Sequence, residues 1–408
     1  MRMAETLKSK NQQPSVWKNY RVEDFCTTAS GGTPLTTRRD YYDDGHIPWL
    51  RSGEVSQGRV RHAEISISQA GLDNSSAKLF KKGTILVAMY GATAGEVGIL
   101  EFESSTNQAV CGITPGPSVD GEFLFQALLL HKPTLIKMAG GGAQPNISQE
   151  IIRNFKIPLP PIAEQRKIAE ILRTWDEAIE TAEAELKAKQ ELLKRAVAKY
   201  FEKTYRDASS GKVGELKTLD AVCTRKGEYG AAVSACPYNP EWPRYIRITD
   251  ITETGILKKE RAVSISPESA EGYGLKMGDL LFARTGEPGR CLIFNEAYAA
   301  AFAGYLIRFK ARPEVILSEY VYFYTLSSVY YKWVGDVSQK GAQANINAKV
   351  YGSLQLPVID LTSQEAAVRV FKSLQESVLL AEQGAELLRI QKRGLMQKLL
   401  TGEVRVAA

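Results

Sequence analysis

Between residues 162 and 208 the chain has neither glycine nor proline, and its apolar or small residues recur in alternating steps of four and three. The series runs Ile168, Leu172, Trp175, Ile179, Ala182, Leu186, Leu193 and Ala196, with Lys189 as its one interruption. That period predicts a long helix with a narrow seam facing another helix, rather than a helix lying on a sheet. Pro158, Pro160 and Pro161 set its start, since proline is tolerated in a first turn and not beyond it. A second series runs Ala367, Phe371, Leu374, Val378, Ala381, Ala385, Leu388, Leu395 and Leu399, interrupted at Lys392. Its alanines leave room for two helices to approach closely.

The segments before each helix, about 15–157 and 215–356, follow another pattern. Short β-rich runs, Thr84–Tyr90 and Asp279–Ala283, sit between glycine-rich turns, and a helical patch follows in each, Glu122–Leu130 and Ser318–Leu326. Each segment is expected to be a compact α+β domain.

The two halves also echo each other at offsets of 195 to 199 residues. Gly142-Ala143-Gln144-Pro145-Asn146-Ile147 returns as Gly341-Ala342-Gln343-Ala344-Asn345-Ile346. Trp49-Leu50-Arg51 with Glu54-Val55 returns as Tyr245-Ile246-Arg247 with Asp250-Ile251. Lys82-Gly83-Thr84-Ile85-Leu86-Val87-Ala88 matches Met277-Gly278-Asp279-Leu280-Leu281-Phe282-Ala283, and Ile157-Pro158 matches Leu356-Pro357. Four collinear matches make the chain two copies of one unit.

On these residues the chain resembles the specificity (S) subunit of type I restriction-modification systems. Trp17-Lys18-Asn19-Tyr20-Arg21-Val22-Glu23-Asp24-Phe25 and Gly31-Gly32-Thr33-Pro34 are similar to that family's opening. Ile157-Pro158-Leu159-Pro160-Pro161-Ile162-Ala163-Glu164-Gln165-Arg166-Lys167-Ile168 carries its most specific motif, and Arg393-Gly394-Leu395-Met396-Gln397-Lys398-Leu399-Leu400-Thr401-Gly402 is similar to its C-terminus. The second copy departs from the pattern, with Leu356-Pro357-Val358-Ile359-Asp360 and Ser363-Gln364-Glu365 in place of the proline-rich turn and Glu-Gln-Arg.

The resemblance implies an α+β protein in which two similar target-recognition domains are separated by two long helices forming an antiparallel coiled coil, with a pseudo-two-fold internal repeat. The division is then 1–158 and 209–357 for the recognition domains, 159–208 and 358–408 for the helical spacers. It also implies a chain without catalysis that binds no cofactor. The partners would be double-stranded DNA with a bipartite site, two methyltransferase (M) subunits carrying S-adenosylmethionine, and restriction (R) subunits using ATP and magnesium. The outward helix faces, with Gln165, Arg166, Gln397 and Lys398, would help dock the M subunits.

Repeat geometry points the same way. Antiparallel helices would place equivalent domains at opposite ends of a pseudo-dyad, matching the local dyads of B-DNA. A helix of about 40 residues is roughly 60 Å long, more than one turn of DNA, and so acts as a ruler. The domains differ in sequence, so the half-sites should differ.

Base contacts are expected where glycine turns let backbone approach the duplex: Tyr90 and Thr93 in the loop Met89–Glu96, and Arg284, Thr285 and Arg290 in its counterpart. Arginine can pair bidentately with guanine and Asn or Gln with adenine, which adds Gln108, Gln144, Asn146, Gln343 and Asn345. Phosphate contacts are expected from Arg38, Arg39, Arg51, Arg59, Arg61, Arg225, Lys226, Arg247 and Lys340.

Composition narrows the field. With 408 residues there is room for two or three domains, and 52 basic against 46 acidic residues give +6, which permits nucleic-acid binding without requiring it. The five cysteines contain no Cys-x-x-Cys, and the N-terminus has no apolar signal region, so a reducing cytoplasm is expected. The apolar stretch Ala297–Ile307 is about half the ~20 residues of a membrane span. The rival reading is a DNA methyltransferase or nuclease. Leu159-Pro160-Pro161-Ile162 and Asn239-Pro240-Glu241-Trp242 do not fit the Asn/Asp-Pro-Pro-aromatic string of an adenine methyltransferase. No Walker loop occurs, and His46, His62 and His131 lack metal-ligand spacing.

Overall fold

Both glycine- and proline-poor segments form the helices their heptads predict, Ile162–Ser209 and Leu361–Leu400. The computed structural model of the chain describes residues 17–139, 145–252, 254–258, 260–338 and 345–407. All the seam positions, including Trp175, Ile179, Leu186, Leu193, Leu374, Val378, Leu388 and Leu395, are buried or half-buried. The interruptions follow suit: Lys189 is half-buried and pairs with Glu185 one turn back, and Lys392 is buried.

The chain divides into two compact units, residues 1–182 with 384–408, and residues 183–383. The division cuts both helices, because each helix half packs onto the domain at its end. In the first unit Ile168, Ala169 and Leu172 share a core with Met396, Leu399 and Leu400. Glu164 meets Arg405 just past the second helix, and Asp176 meets Lys392. A later residue on one helix faces an earlier residue on the other, so the helices are antiparallel there. In the second unit Val197 and Phe201 share a core with Ala367, Val368 and Phe371. Phe201 packs against Phe371 with ring centroids 5.9 Å apart.

Among the described residues, the globular part of the first unit holds two larger sheets. One has the order Cys26–Ser30, Val110–Pro115, Ile85–Ala88, Val97–Leu100, Arg59–Val60. The other runs Ile65–Ile67, Ile47–Leu50, Ser104–Thr106, Leu79–Phe80. The strand Ile85–Ala88 is buried throughout, as a continuous apolar run bounded by turns should be. The second unit repeats the plan with four strands in each sheet. Glu228–Tyr229, Leu306–Phe309, Asp279–Ala283 and Cys291–Phe294 form one; Cys236–Pro237, Val263–Ser264, Arg244–Ile246 and Ala300–Phe302 form the other. The parallel pairing of Trp49 with Ser105 recurs as Tyr245 with Ala301, at the same offset of 196.

The prolines before the first helix behave differently from the sequence expectation. Pro158 is not in a helical first turn. It lies in the strand Lys156–Leu159, which pairs antiparallel with Lys18–Arg21, Pro158 opposite Asn19. Proline is acceptable there because a two-stranded ribbon is all edge. The second unit builds the same ribbon from Glu215–Thr218 and Gln355–Val358, Pro357 opposite Leu216. Each ribbon leads directly into its long helix.

Candidate nucleic-acid interface

In each unit the glycine loop and the Asn-Ile segment, far apart in sequence, meet at one end of the main sheet. In the first, the strand Ile85–Ala88 runs into the loop Met89–Glu96, which closes through Gly95 N–H to the Ala88 carbonyl (2.8 Å). Gly91 and Gly95 have φ of 84° and 85°, the left-handed region glycine tolerates, and a Cβ at Gly95 would strike Ile136. Ile147 N–H then donates to the Met89 carbonyl at 2.7 Å. Ile147 is fully buried, which leaves its neighbour Asn146 exposed beside the loop.

The second unit repeats this pairing. Ile346 N–H donates to the Arg284 carbonyl (3.0 Å), Ile346 is buried and Asn345 is exposed. Arg284 Nε donates to Asn345 Oδ1 at 3.1 Å, and its guanidinium lies over the Tyr229 ring. Two buried tyrosines brace the loop from behind. Tyr351 Oη accepts from Gly289 N–H and donates to the Ala283 carbonyl, while Tyr330 Oη donates to the Gly289 carbonyl. The result is a braced loop carrying an oriented guanidinium, an amide and an aromatic face, groups whose chemistry is suited to base edges and sugar-phosphate.

Sequence reasoning missed Tyr229 and Tyr305. Tyr305 is 64% exposed, and its carbonyl accepts from Arg284 N–H. Their signal was adjacency to Gly230 and Gly304, which mark close backbone approach.

The other candidates divide by what holds them. Tyr90 is exposed and Thr93 half-buried on the first loop, and Gln108 bonds Thr33 at the same sheet end. Thr285 is half-buried on the second loop; Arg290 turns inward to the Ile251 carbonyl and pairs with Glu287. Gln144, Lys340 and Gln343 lie outside the described residues. Arg39 and Lys226 are exposed, and Arg225 is exposed with Glu228 at 3.4 Å. Arg38 is exposed and chelated by Asp40.

Several arginines serve the fold. Arg59 has a side chain only 8% exposed, clamped by Glu101 and Glu122, so its charge is spent internally. Arg61 pairs with Glu180 on the long helix at 2.9 Å. Arg51 pairs with Glu64, and Arg247 with Asp250. The Arg-x-x-acid match between the halves is a turn device: Glu54 accepts from Arg51 N–H and Asp250 from Arg247 N–H, each at 2.8 Å. A basic cleft of about 460 Å³ holds Arg225, Lys226, Lys276, Arg308 and Lys310 in the second unit. Burial alone would raise the Glu228 carboxyl there, but two N–H groups of Arg308 donating to its Oε2, with Arg225 beside it, more than offset this and hold it below the usual range.

Known proteins carry the same likeness. Residues 14–190 match the family described as the type I restriction modification DNA specificity domain. The type I restriction enzyme MjaVIII specificity subunit of Methanocaldococcus jannaschii is 24% identical over 413 residues, covering 96% of this chain and 94% of that protein. The chain is similar to the specificity subunit of type I restriction-modification systems. That subunit is the non-catalytic component of such systems. The fold agrees with the crystal structure of a type I S subunit from M. genitalium, at 16% identity, TM-score 0.61, and 97% and 98% of the two chains. A second type I system structure, described in terms of complex assembly and conformational transition, gives 17% identity and TM-score 0.57 over 97% and 100%. Among the described residues no helix is long and apolar enough to cross a membrane, and no cluster of three or more His, Cys, Asp or Glu could hold a metal.

Proposed function

We propose that each recognition domain reads one half of a bipartite, asymmetric DNA site through the sheet end bearing its glycine loop. The observation that carries this reading is that one interface is built twice, with Ile147 on Met89 and Ile346 on Arg284, yet armed differently. The first copy offers Tyr90, Gln108 and Asn146; the second offers Arg284, Tyr229 and Asn345. Equivalent scaffolds with unlike side chains suit two half-sites of unlike sequence. The antiparallel helix pairing in each unit supports a ruler that fixes the gap.

On this reading the chain binds no cofactor. S-adenosylmethionine belongs to two methyltransferase subunits docked on exposed helix surface, ATP and magnesium belong to restriction subunits, and the complex works in the cytoplasm. The test is co-expression with the methyltransferase encoded beside it, followed by mapping of methylated adenines by single-molecule sequencing. The expected motif has two short unlike halves, a fixed unspecified gap and one modified base on each strand. A continuous motif, or methylation by this chain without its partner, would overturn the proposal.

A further inference from the structure

One glutamine in each unit makes the same three hydrogen bonds at the point where recognition domain and long helix meet. Gln165, 1% exposed, donates from Nε2 to the Pro160 carbonyl (2.9 Å) and the Ser118 carbonyl (3.2 Å), and its Oε1 accepts from Asp120 N–H (2.9 Å). Gln364, fully buried, donates to the Ile359 (2.8 Å) and Val315 (3.1 Å) carbonyls and accepts from Leu317 N–H (2.9 Å). Asp120 and Leu317 are the N-caps of the domain helices Gly121–Met138 and Ser318–Tyr324. The amide therefore staples the turn entering the long helix to the start of the helix in the recognition domain. Gln165 does not face outward for partner docking, as its sequence position suggested, although Arg166, Gln397 and Lys398 are exposed.

The staple persists while its surroundings change. Glu-Gln-Arg becomes Ser-Gln-Glu, and the secondary links between helix and domain are unlike. The first unit has Arg61 to Glu180 (2.9 Å) and Gln126 to Asp176 (2.7 Å). The second has Lys372 to Glu319 (2.9 Å) and Gln375 to Tyr322 (2.8 Å). The common element is a pivot, and the unlike contacts sit farther along the helix. A planar amide with both donor protons and its oxygen engaged, buried from water, fixes direction as well as distance.

We propose that Gln165 and Gln364 are positioning residues that set the angle between each recognition domain and its helix, and through it the permitted gap between half-sites. The gap statement rests on the bipartite reading above; the angle statement does not. Gln165→Met keeps the side chain's size and removes all three bonds. In the full chain co-expressed with its methyltransferase, methylation at sites whose gap is one base pair too long or too short should rise about tenfold, with both half-sites unchanged, once the bonds that hold one angle are gone. Gln364→Met should do the same from the other end. A wild-type split motif with unaltered gap selectivity in two folded variants overturns the gap assignment.

A second readout needs no DNA. In the full chain with Cys236→Ser, spin labels at Arg39→Cys and Arg173→Cys report the distance between domain and helix. The distribution should broaden with Gln165→Met, and an unchanged width contradicts the positioning role. A continuous wild-type motif would sink the bipartite reading and leave this distance measurement to decide the angle.

Discussion

Lys392 places its ammonium 2.5 Å from Asp176 Oδ1, inside a helix seam that is mostly apolar, and Gln126 Nε2 holds the other carboxylate oxygen at 2.7 Å. The pair occurs once. At the repeat offset of 199, the counterpart of Asp176 is Gln375 and that of Lys392 is Leu193. Two first-copy helices paired antiparallel in this register would face Asp176 with Leu193, and two second-copy helices would face Lys392 with Gln375. Either mismatch strands a charge, so the pair selects first helix against second and fixes their register.

Asp176→Leu should therefore lower stability by about 3 kcal/mol, since it leaves a buried ammonium without its partner. Thermal unfolding should show a fall of roughly 6–12 °C. Asp176→Leu with Lys392→Leu should recover most of the loss. A single variant that melts with wild type would show the pair to be incidental.

Arg284→Ala removes the only guanidinium on the second glycine loop that faces Asn345 and Tyr229. Discrimination at one base of that half-site should fall by about 1–3 kcal/mol, with the other half read as before. Asn146→Ala should do the converse. Competition binding with single-base variants of each half-site measures both; equal loss at both halves would break the assignment of one half per domain.

Tyr351→Phe deletes one oxygen that bonds both Gly289 N–H and the Ala283 carbonyl. Two buried backbone groups lose their partner at a cost of about 2 kcal/mol. The second half-site should weaken through a loosened loop. Amide exchange at Gly289 should accelerate, while the strand Asp279–Ala283 stays protected.

Burial pushes the thiols of Cys26, Cys111 and Cys223 up to about 12, and that of Cys291 higher still. A raised thiol is almost wholly protonated at pH 8, and the thiolate is the reactive form. Cys236 is the one cysteine that is not buried. A thiol reagent at pH 8 should label one equivalent quickly, and Cys236→Ser should abolish that phase. Two fast equivalents would mean that one of the cores opens readily.

What the sequence disclosed and what it hid have physical reasons. Heptads and the strand Asp279–Ala283 were legible because their periodicity is local. The ribbon holding Pro158 was not, because its partner Asn19 is distant in sequence and a proline grouped with Pro160 and Pro161 before a helix looks like part of the helix start. Arg59 was indistinguishable from a phosphate-binding cation, since Glu101 and Glu122 lie 42 and 63 residues away. Gln165 hid among polar helix residues, and only the fold puts Ser118 and Asp120 against it. The meeting of each glycine loop with its Asn-Ile segment could be guessed from the repeat but not placed.

The most direct measurement exchanges residues 15–157 for the matching segment of a specificity subunit with a different motif, then maps methylated adenines in cells that also express the methyltransferase. One half of the motif should change, with the other half and the gap retained. A change in both halves, or a motif that loses its gap, would contradict a chain that reads DNA with two independent domains on a common ruler.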